Sequence, residues 1–182
     1  EAPEHTAVAV FVDKEETGSD GNTGLQSSYL RYFIADLARL EGLMGRDALS
    51  KSKCLSADVN AAFDPTFPSP FEAANSAYIN KGIVVTKYTG SGGKGGTSDA
   101  SAEFVGEVTR IFTAADVCWQ MGELGAVDAG GGGTVALYIA HYDVDVVDIG
   151  VPVLSMHAPY ETVSKFDCYM TYKGVKSFYL DR

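Results

Sequence analysis

The sequence predicts an α/β fold in which a largely parallel β-sheet is covered by helices. Two observations favour this fold class. Apolar runs of strand length alternate along the whole chain with segments of helical periodicity, and 46% of the 182 residues are hydrophobic, as in a globular protein. A chain of this length forms one domain with a sizeable core. No internal repeat or linker interrupts the alternation, so we expect a single domain over residues 1–182.

The predicted elements of the first half follow from apolar runs, helical spacing and turn residues. Between residues 25 and 42, leucine, phenylalanine and isoleucine recur at the spacing of one buried helical face. In chain order we predict a strand at 7–12, a helix at 25–42, a strand at 53–59, a proline-rich loop at 64–70 and a strand at 82–88.

The second half continues the alternation. The segment 100–115 places Phe104, Val108, Ile111 and Phe112 on one face of a helix. Gly174 weakens the last predicted helix, because glycine is a poor helix former. In chain order we predict a loop at 89–99, a helix at 100–115, a strand at 117–121, a helix at 134–141, strands at 144–149 and 152–156, and a helix at 160–179.

Composition excludes several classes of function. The net charge of −10 and the lack of a Lys/Arg cluster argue against nucleic-acid binding. No apolar run reaches the length of a membrane span, and no signal-peptide pattern occurs, so we expect a cytoplasmic protein. Cys54, Cys118 and Cys168 form no CxxC pair and are expected to be reduced core residues. The chain starts with Glu1 rather than Met, which is how a fragment or processed product begins.

The loop from Gly90 to Gly95, "GSGGKG", matches the dinucleotide-binding pattern G-x-G-x-x-G between a predicted strand and a predicted helix. Gly95 stands where a Walker A loop has Ser or Thr, so that motif does not apply. Glycine-rich loops are common in a chain with 20 glycines. We therefore favour a flexible surface loop and keep a nucleotide phosphate cradle as the alternative.

A second glycine run, "GGGG" from Gly130 to Gly133, leads into the predicted helix at 134–141. Glycines allow the backbone to approach a ligand closely and leave helix N–H groups free to bind an anion or a carbonyl. They serve equally well in a tight packing turn. Spacing alone does not decide between the two roles.

Carboxylates and one imidazole follow three separate predicted strands. Glu15 and Glu16 come after the strand at 7–12, Asp58 lies near the end of the strand at 53–59, and His157 follows the strand at 152–156. Ligands of open α/β sheets gather beyond the carboxyl ends of strands. Mixed His and carboxylate donors suit zinc, cobalt or manganese, and a spare carboxylate suits a general base for water. The chain has no H-E-x-x-H, which excludes thermolysin-like chemistry.

These segments together resemble the M18 family of metalloaminopeptidases, the aspartyl aminopeptidase and aminopeptidase I group. The matching pieces lie in the family's order over nearly the whole chain: "FVDKEETGSDGNTG", "LSADVNAAFDP", "NKGIVVTKYTGSGGKGG", "GGGGTVA", "DVVDIGVPVLSMHAP" and "SKFDCYMTYKGVKSFY". The resemblance implies a two-metal exopeptidase that removes N-terminal residues from peptides. It also implies a zinc-peptidase-like α/β domain with an inserted dimerisation domain, and a tetrahedral homo-dodecamer.

The resemblance implies a role for each strand-end residue. Glu15 matches the general base and Glu16 the neighbouring metal ligand. His157 matches the histidine that shares a metal with Glu16, and Asp58 a ligand to the other metal. The run Gly131, Gly132 and Gly133 recurs near the family's active site, which favours a functional role for it. Lys81 and Lys87 are the candidates for the basic groups with which the acidic-specific branch binds substrate.

Two family ligands have no counterpart here, namely an upstream His in an H-x-D segment and the aspartate that bridges both metals. The dimerisation domain that lies between them in the family is missing as well. We therefore expect this chain to be the C-terminal part of the peptidase domain, inactive in isolation. The alternative from another functional class is a catalytically silent module that only folds and assembles.

Overall fold

The chain forms a five-stranded sheet, a separate two-stranded hairpin and five α-helices within residues 2–92, 95–126 and 128–181, which the computed structural model describes. The elements in chain order are α1 (Tyr29–Leu40), α2 (Gly45–Leu49), β1 (Lys53–Ala61), β2 (Ile83–Thr86), β3 (Tyr88–Ser91), β4 (Gly95–Asp99), α3 (Ala102–Ala114), β5 (Trp119–Met121), α4 (Ala136–Ala140), β6 (Asp145–Leu154), β7 (Thr162–Val163) and α5 (Lys165–Leu180).

The main sheet has the strand order β1-β6-β2-β5, and β7 adds to β6. β1 runs parallel to β6, with Ser56 opposite Asp148, and β2 runs parallel to β5. β6 meets β2 in the antiparallel sense, with Thr86 also opposite Asp148. The predicted fold class is confirmed: the structure is α/β, and the sheet is mostly parallel.

The two faces of the sheet differ in chemistry because successive strand residues point to opposite sides. One face presents side chains such as Val85 and Ile149 to α3 and α5, forming an apolar core that includes Phe112. The other face carries α4 over a smaller apolar cluster. Beside that cluster lie three buried polar residues, Ser56, Thr86 and Asp148. The polar face is therefore the one on which a site can form.

The best-predicted element is α3. Its buried side chains are Phe104, Val108, Ile111 and Phe112, as the periodicity predicts. The Ser101 hydroxyl caps the helix by accepting a 3.2 Å hydrogen bond from the backbone N–H of Phe104. Because periodicity and cap agree, the helix begins within two residues of the predicted position.

The prediction of a strand at 7–12 is wrong. This segment is extended, but it joins neither sheet. The Phe11 side chain is 98% exposed, and Val10 and Val12 are also exposed. A strand exists only through hydrogen bonds to a neighbouring strand, and an apolar run in the sequence carries no information about whether such a neighbour is present.

Two further segments differ from prediction. The segment predicted as a loop at 89–99 contains the antiparallel hairpin of β3 and β4. The two strands predicted at 144–149 and 152–156 are one continuous strand, β6. Pro152 is tolerated in β6 because it lies beyond Gly150, the last residue of β6 that pairs with β2.

The prediction that all three cysteines are core residues is wrong. Cys54 is half-buried, but Cys118 and Cys168 are exposed, and all three are free thiols. Burial and the charge of Asp148 raise the pKa of the Cys54 thiol to about 11, so that thiol is unreactive at neutral pH. No helix in the described ranges is long and apolar enough to cross a bilayer.

Candidate metallopeptidase site

Glu15 and Glu16 lie in a short 3-10 turn, Glu15–Thr17, between two residues in the left-handed backbone region. Lys14 has φ 59° and Gly18 has φ 91°. The turn closes through backbone bonds from Gly18 N–H to Glu15 O and from Ser19 N–H to Lys14 O. In an extended strand, adjacent side chains point in opposite directions, and this turn removes that restriction. The two neighbouring carboxylates can therefore reach one site from different positions.

His157 comes from the opposite end of the sequence and meets this turn. Its Nδ1 atom lies 3.7 Å from Glu16 Oε2. The residue follows β6 with a left-handed φ of 66°, and its backbone N–H donates a 2.6 Å hydrogen bond to Glu161. Non-glycine residues in this backbone region are uncommon and concentrate at functional sites. The structure thus brings an imidazole and a carboxylate together at one point.

Asp58 belongs to the same electrostatic environment. The pKa of Glu15 is raised, first by burial and then by the negative charges of Asp58 and Glu16, while His157 opposes the shift. Asp58 itself is exposed on β1 and accepts a hydrogen bond from the backbone N–H of Val59. The pKa of Glu15 is therefore influenced by the other three residues predicted from strand ends, Glu16, Asp58 and His157.

The donor atoms fit part of a metal site. A zinc ion in a protein commonly takes imidazole nitrogen and carboxylate oxygen, four ligands in all. Glu16 and His157 supply one such pair. Within the described residues, no three His, Cys, Asp or Glu side chains converge on one point. The chain therefore presents a pair of donors rather than a complete coordination shell.

A cavity of about 330 Å³ opens beside the two glutamates. One wall is the turn around Glu15 and the other is the segment that enters and forms α4. The lining residues are Glu15, Glu16, Gly18, Ser19, Gly96, Gly133, Thr134, Val135, Leu137 and Tyr138. The Tyr138 hydroxyl donates a 3.4 Å hydrogen bond to Gly18 O and so joins the two walls. A ligand in this cavity would contact both Glu15 and the end of the glycine run.

The run from Gly130 to Gly133 has a packing reason for being glycine. A Cβ atom added to Gly131, whose φ is 97°, would lie 1.9 Å from the carbonyl oxygen of Gly90. A Cβ added to Gly133 would lie 3.2 Å from the carbonyl oxygen of Gly96. The run therefore lies directly on the backbone of the β3–β4 hairpin. The helix that follows, α4, begins at Ala136 and has only five residues.

The structure separates the two lysines predicted to bind substrate. Lys81 is exposed and precedes β2, whereas Lys87 follows it at the other end of the strand. Lys87 forms an ion pair with Asp99 across the base of the hairpin.

Glu123 lies near this ion pair. Burial raises its pKa to about 7, and its Oε2 atom is buried without a hydrogen-bond partner in the described part of the chain.

The loop that matches G-x-G-x-x-G does not lie between a strand and a helix. Gly90 belongs to β3 and Gly95 begins β4, while Gly93 and Lys94 lie outside the described residues. The next helix, α3, begins only at Ala102. A dinucleotide fingerprint needs the loop to open directly into a helix whose N-terminus holds the pyrophosphate. That context is missing, because a β-strand follows the loop.

Sequence reasoning missed a buried carboxylate on the polar face of the sheet. Asp148 Oδ1 accepts a 2.7 Å hydrogen bond from the Ser56 hydroxyl, and Oδ2 accepts a 3.0 Å bond from the Thr134 hydroxyl. Burial raises the pKa of Asp148 to about 6, although both hydrogen bonds lower it. The only signal in the sequence is an aspartate inside the apolar run "DVVDIGVPVL".

Comparisons with known proteins find a matching family and similar sequences. The family model described as "Aminopeptidase I zinc metalloprotease (M18)" matches residues 1–179. A probable M18 family aminopeptidase 1 from Clostridium acetobutylicum is 50% identical over 177 residues, which are 95% of this chain and 38% of the relative.

Two solved structures are similar to the structure of this chain. The crystal structure of aminopeptidase I from Clostridium acetobutylicum has a TM-score of 0.85 at 49% identity, covering 94% of this chain and 37% of that one. An M18-family aminopeptidase from Thermotoga maritima has a TM-score of 0.89 at 37% identity, covering 94% of this chain and 39% of that one. The chain thus spans about two fifths of the length of these relatives. Since the family model matches nearly every residue, the chain belongs to the M18 family of aminopeptidase I zinc metalloproteases.

Proposed function

We propose that this chain is part of a metal-dependent aminopeptidase that removes N-terminal residues from peptides. The observation that carries the proposal is the pairing of Glu16 with His157 next to Glu15, at the mouth of a cavity. A pair of metal donors, a separate carboxylate with a raised pKa and room for a ligand are the parts that hydrolysis by an activated water requires. The family name is consistent with this chemistry.

Each residue has a distinct proposed role. Glu16 and His157 would hold one ion, and Asp58 would contribute to the second. Zinc is the metal we favour, with cobalt and manganese as alternatives. A bound ion would lower the pKa of a water molecule attached to it to about 7. Glu15 would act as the general base towards that water. Its raised pKa brings its proton affinity closer to that of a base that works near pH 7.

The cavity supports a proposal about substrate. Val135, Leu137 and Tyr138 form much of one wall, and Glu15 and Glu16 are the only charged side chains among the described residues that line it. A neutral, apolar side chain on the N-terminal residue fits such a wall better than an acidic one, which would face like charge. Gly131, Gly132 and Gly133 remain candidates for backbone contacts to the peptide. Lys87, which follows β2, and Lys81, which precedes it, remain candidates for basic contacts.

We further propose that this chain is the C-terminal part of the peptidase domain, and that the missing ligands come from the remaining three fifths of a protein like the relatives. Self-association into a dodecamer and a cytoplasmic location belong to the same proposal. The second candidate function is a catalytically silent assembly module. The observation that favours it is that only two donors meet in the described part of the chain.

The test uses the longest natural polypeptide that contains these 182 residues. It is stripped of metal with a chelator, reloaded with zinc, cobalt or manganese, and assayed on leucyl and aspartyl peptides. We expect metal-dependent release of N-terminal leucine, slower release of aspartate and no cleavage of N-acetylated peptides. Equal cleavage of acetylated peptides would contradict an aminopeptidase. A reloaded protein that cleaves nothing would favour the assembly module.

A further inference from the structure

A chain of hydroxyl groups connects the glycine run to the centre of the sheet. Thr134 directly follows Gly133, and its hydroxyl donates a 3.0 Å hydrogen bond to Asp148 Oδ2. The hydroxyl oxygen of Thr134 also lies 3.5 Å from the hydroxyl oxygen of Thr89, on strand β3. The Thr89 hydroxyl in turn accepts a 3.3 Å bond from the backbone N–H of Ser98, on strand β4.

The direction of these hydrogen bonds follows from the number of protons that each group can donate. A threonine hydroxyl has one proton, and that of Thr134 is used on the Asp148 carboxylate. Thr134 can therefore only accept from Thr89, whose own proton must point towards it. Every donor points the same way, from the hairpin through Thr134 to Asp148. The carboxylate is the fixed end, because it is on the central strand β6 and only 8% exposed.

The glycine run needs such an anchor. Gly131 lies so close to the hairpin backbone that no side chain fits there, and a side chain at Gly133 would be crowded by the same hairpin. Glycine also has the largest backbone freedom of any residue, so the run has neither side-chain contacts nor intrinsic stiffness to hold its position. The first side chain after the run that can be fixed by hydrogen bonds is that of Thr134. Gly133 and Thr134 also line the cavity that contains Glu15 and Glu16.

We propose that Thr134 is a positioning residue, which fixes the glycine run opposite Glu15 by binding the buried carboxylate of Asp148. Its importance for peptide cleavage rests on the proposed function, whereas its effect on the position of the run does not. Asp148 is bound equally by Ser56 on the other side, 2.7 Å from Oδ1, but Ser56 is on β1 and lies away from the cavity lining. Ser56 is therefore the matched control.

The experiment compares Thr134→Val, Thr134→Ser and Ser56→Ala in the longest natural polypeptide that contains this chain. Thr134→Val keeps the shape of the side chain and removes its hydroxyl. We expect kcat/KM to fall about 10- to 100-fold, because a displacement of about 1 Å costs that much in positioning. Thr134→Ser should restore activity to within about threefold, and Ser56→Ala should stay within about threefold of the unmodified enzyme. Equal losses in Thr134→Val and Ser56→Ala would overturn the proposal.

Hydrogen exchange read by mass spectrometry gives a second measurement that needs no activity. Thr134→Val should speed exchange of the amides from Gly130 to Gly133, while the amides of α3 keep their protection. Ser56→Ala should leave the glycine run unchanged. Unchanged exchange of the run in folded Thr134→Val would overturn the proposal, even if the protein proved not to be a peptidase. If Thr134→Val failed to fold, the same comparison would be made with Thr134→Ala.

Discussion

The side chains of Glu16 and His157 come from opposite ends of the sequence and lie 3.7 Å apart, Oε2 to Nδ1. Both are well exposed, and the backbone is left-handed at His157 and on each side of the turn that carries Glu16. Two exposed groups of this kind gain little stability from one another in water. Their approach is consistent with the proposal that both bind one metal ion.

Metal content tests this pair directly. We expect the 182-residue chain alone to bind at most one zinc ion, because Glu16 and His157 are the only potential metal donors that meet among the described residues. His157→Ala should remove that binding, and His141→Ala, at the end of α4, should retain it. The measurement is elemental analysis after equilibrium dialysis. Two tightly bound ions for each chain would show that further ligands exist.

The two neighbouring glutamates should respond differently to the same substitution. In the longest natural polypeptide with metal bound, Glu15→Gln should keep the metal and lower kcat about 10²- to 10⁴-fold, since an amide cannot accept a proton. Glu16→Gln should weaken metal binding, with activity partly restored by excess metal, because an amide oxygen is a poorer ligand than a carboxylate. Kinetics and metal analysis are compared for both variants. The opposite pattern would mean that the two roles are exchanged.

Asp148 makes stability depend on pH. Its carboxyl has a pKa of about 6 in the folded chain against 3.8 in the unfolded chain, so the folded state binds the proton more tightly. The stabilisation is fully present below about pH 4, is lost as the pH rises to about 6, and amounts to about 3 kcal/mol at most. Asp148→Asn should remove this slope and be the more stable protein at pH 7. Urea unfolding from pH 4 to 7.5 measures the effect.

Glu123→Gln is the comparison for that experiment. The pKa of Glu123 is raised from 4.5 to about 7, mainly by burial, so its loss should flatten the stability curve up to about pH 7. The contribution of Asp148 between pH 4 and 6 should remain. Parallel curves for Asp148→Asn and the unmodified chain would show that Asp148 does not titrate as its burial indicates.

Nucleotides should not bind to the loop from Gly90 to Gly95. This loop connects the two strands of a hairpin and has no helix N-terminus behind it. We expect NAD, NADP and ATP to leave the melting temperature unchanged, whereas any ligand of the native state must raise it. A dose-dependent rise in thermal denaturation would restore the nucleotide-binding alternative.

The parts of the fold predicted well are those with strong local patterns. The apolar stripe and serine cap of α3, and the apolar run of β2, are local features that tertiary structure only reinforces. The run at 7–12 has the same local pattern as β2 but pairs with no strand in the described part of the chain, so its prediction failed. Local pattern predicts a strand only when a neighbour is available to receive its hydrogen bonds.

The site shows the same division. Glu15, Glu16, Asp58 and His157 could be proposed because strand ends in α/β proteins gather polar residues at one edge of the sheet. Asp148 could not, because its two partners, Ser56 and Thr134, are distant in sequence and each resembles an ordinary surface residue. Long-range hydrogen bonds between single polar residues leave no periodic trace in a sequence. Such hydrogen bonds can be identified only once the structure shows which strand residues lie opposite each other.

The contact between Gly131 and the carbonyl oxygen of Gly90 has a consequence for protein engineering. Because the two backbones leave no room for a Cβ, neither segment can be exchanged with that of a relative on its own. A chimera that takes the hairpin from one parent and the glycine run from another would force two main chains to overlap wherever the parents differ in curvature. Recombination and loop grafting in this protein should therefore transfer β3, β4 and the glycine run as a single block.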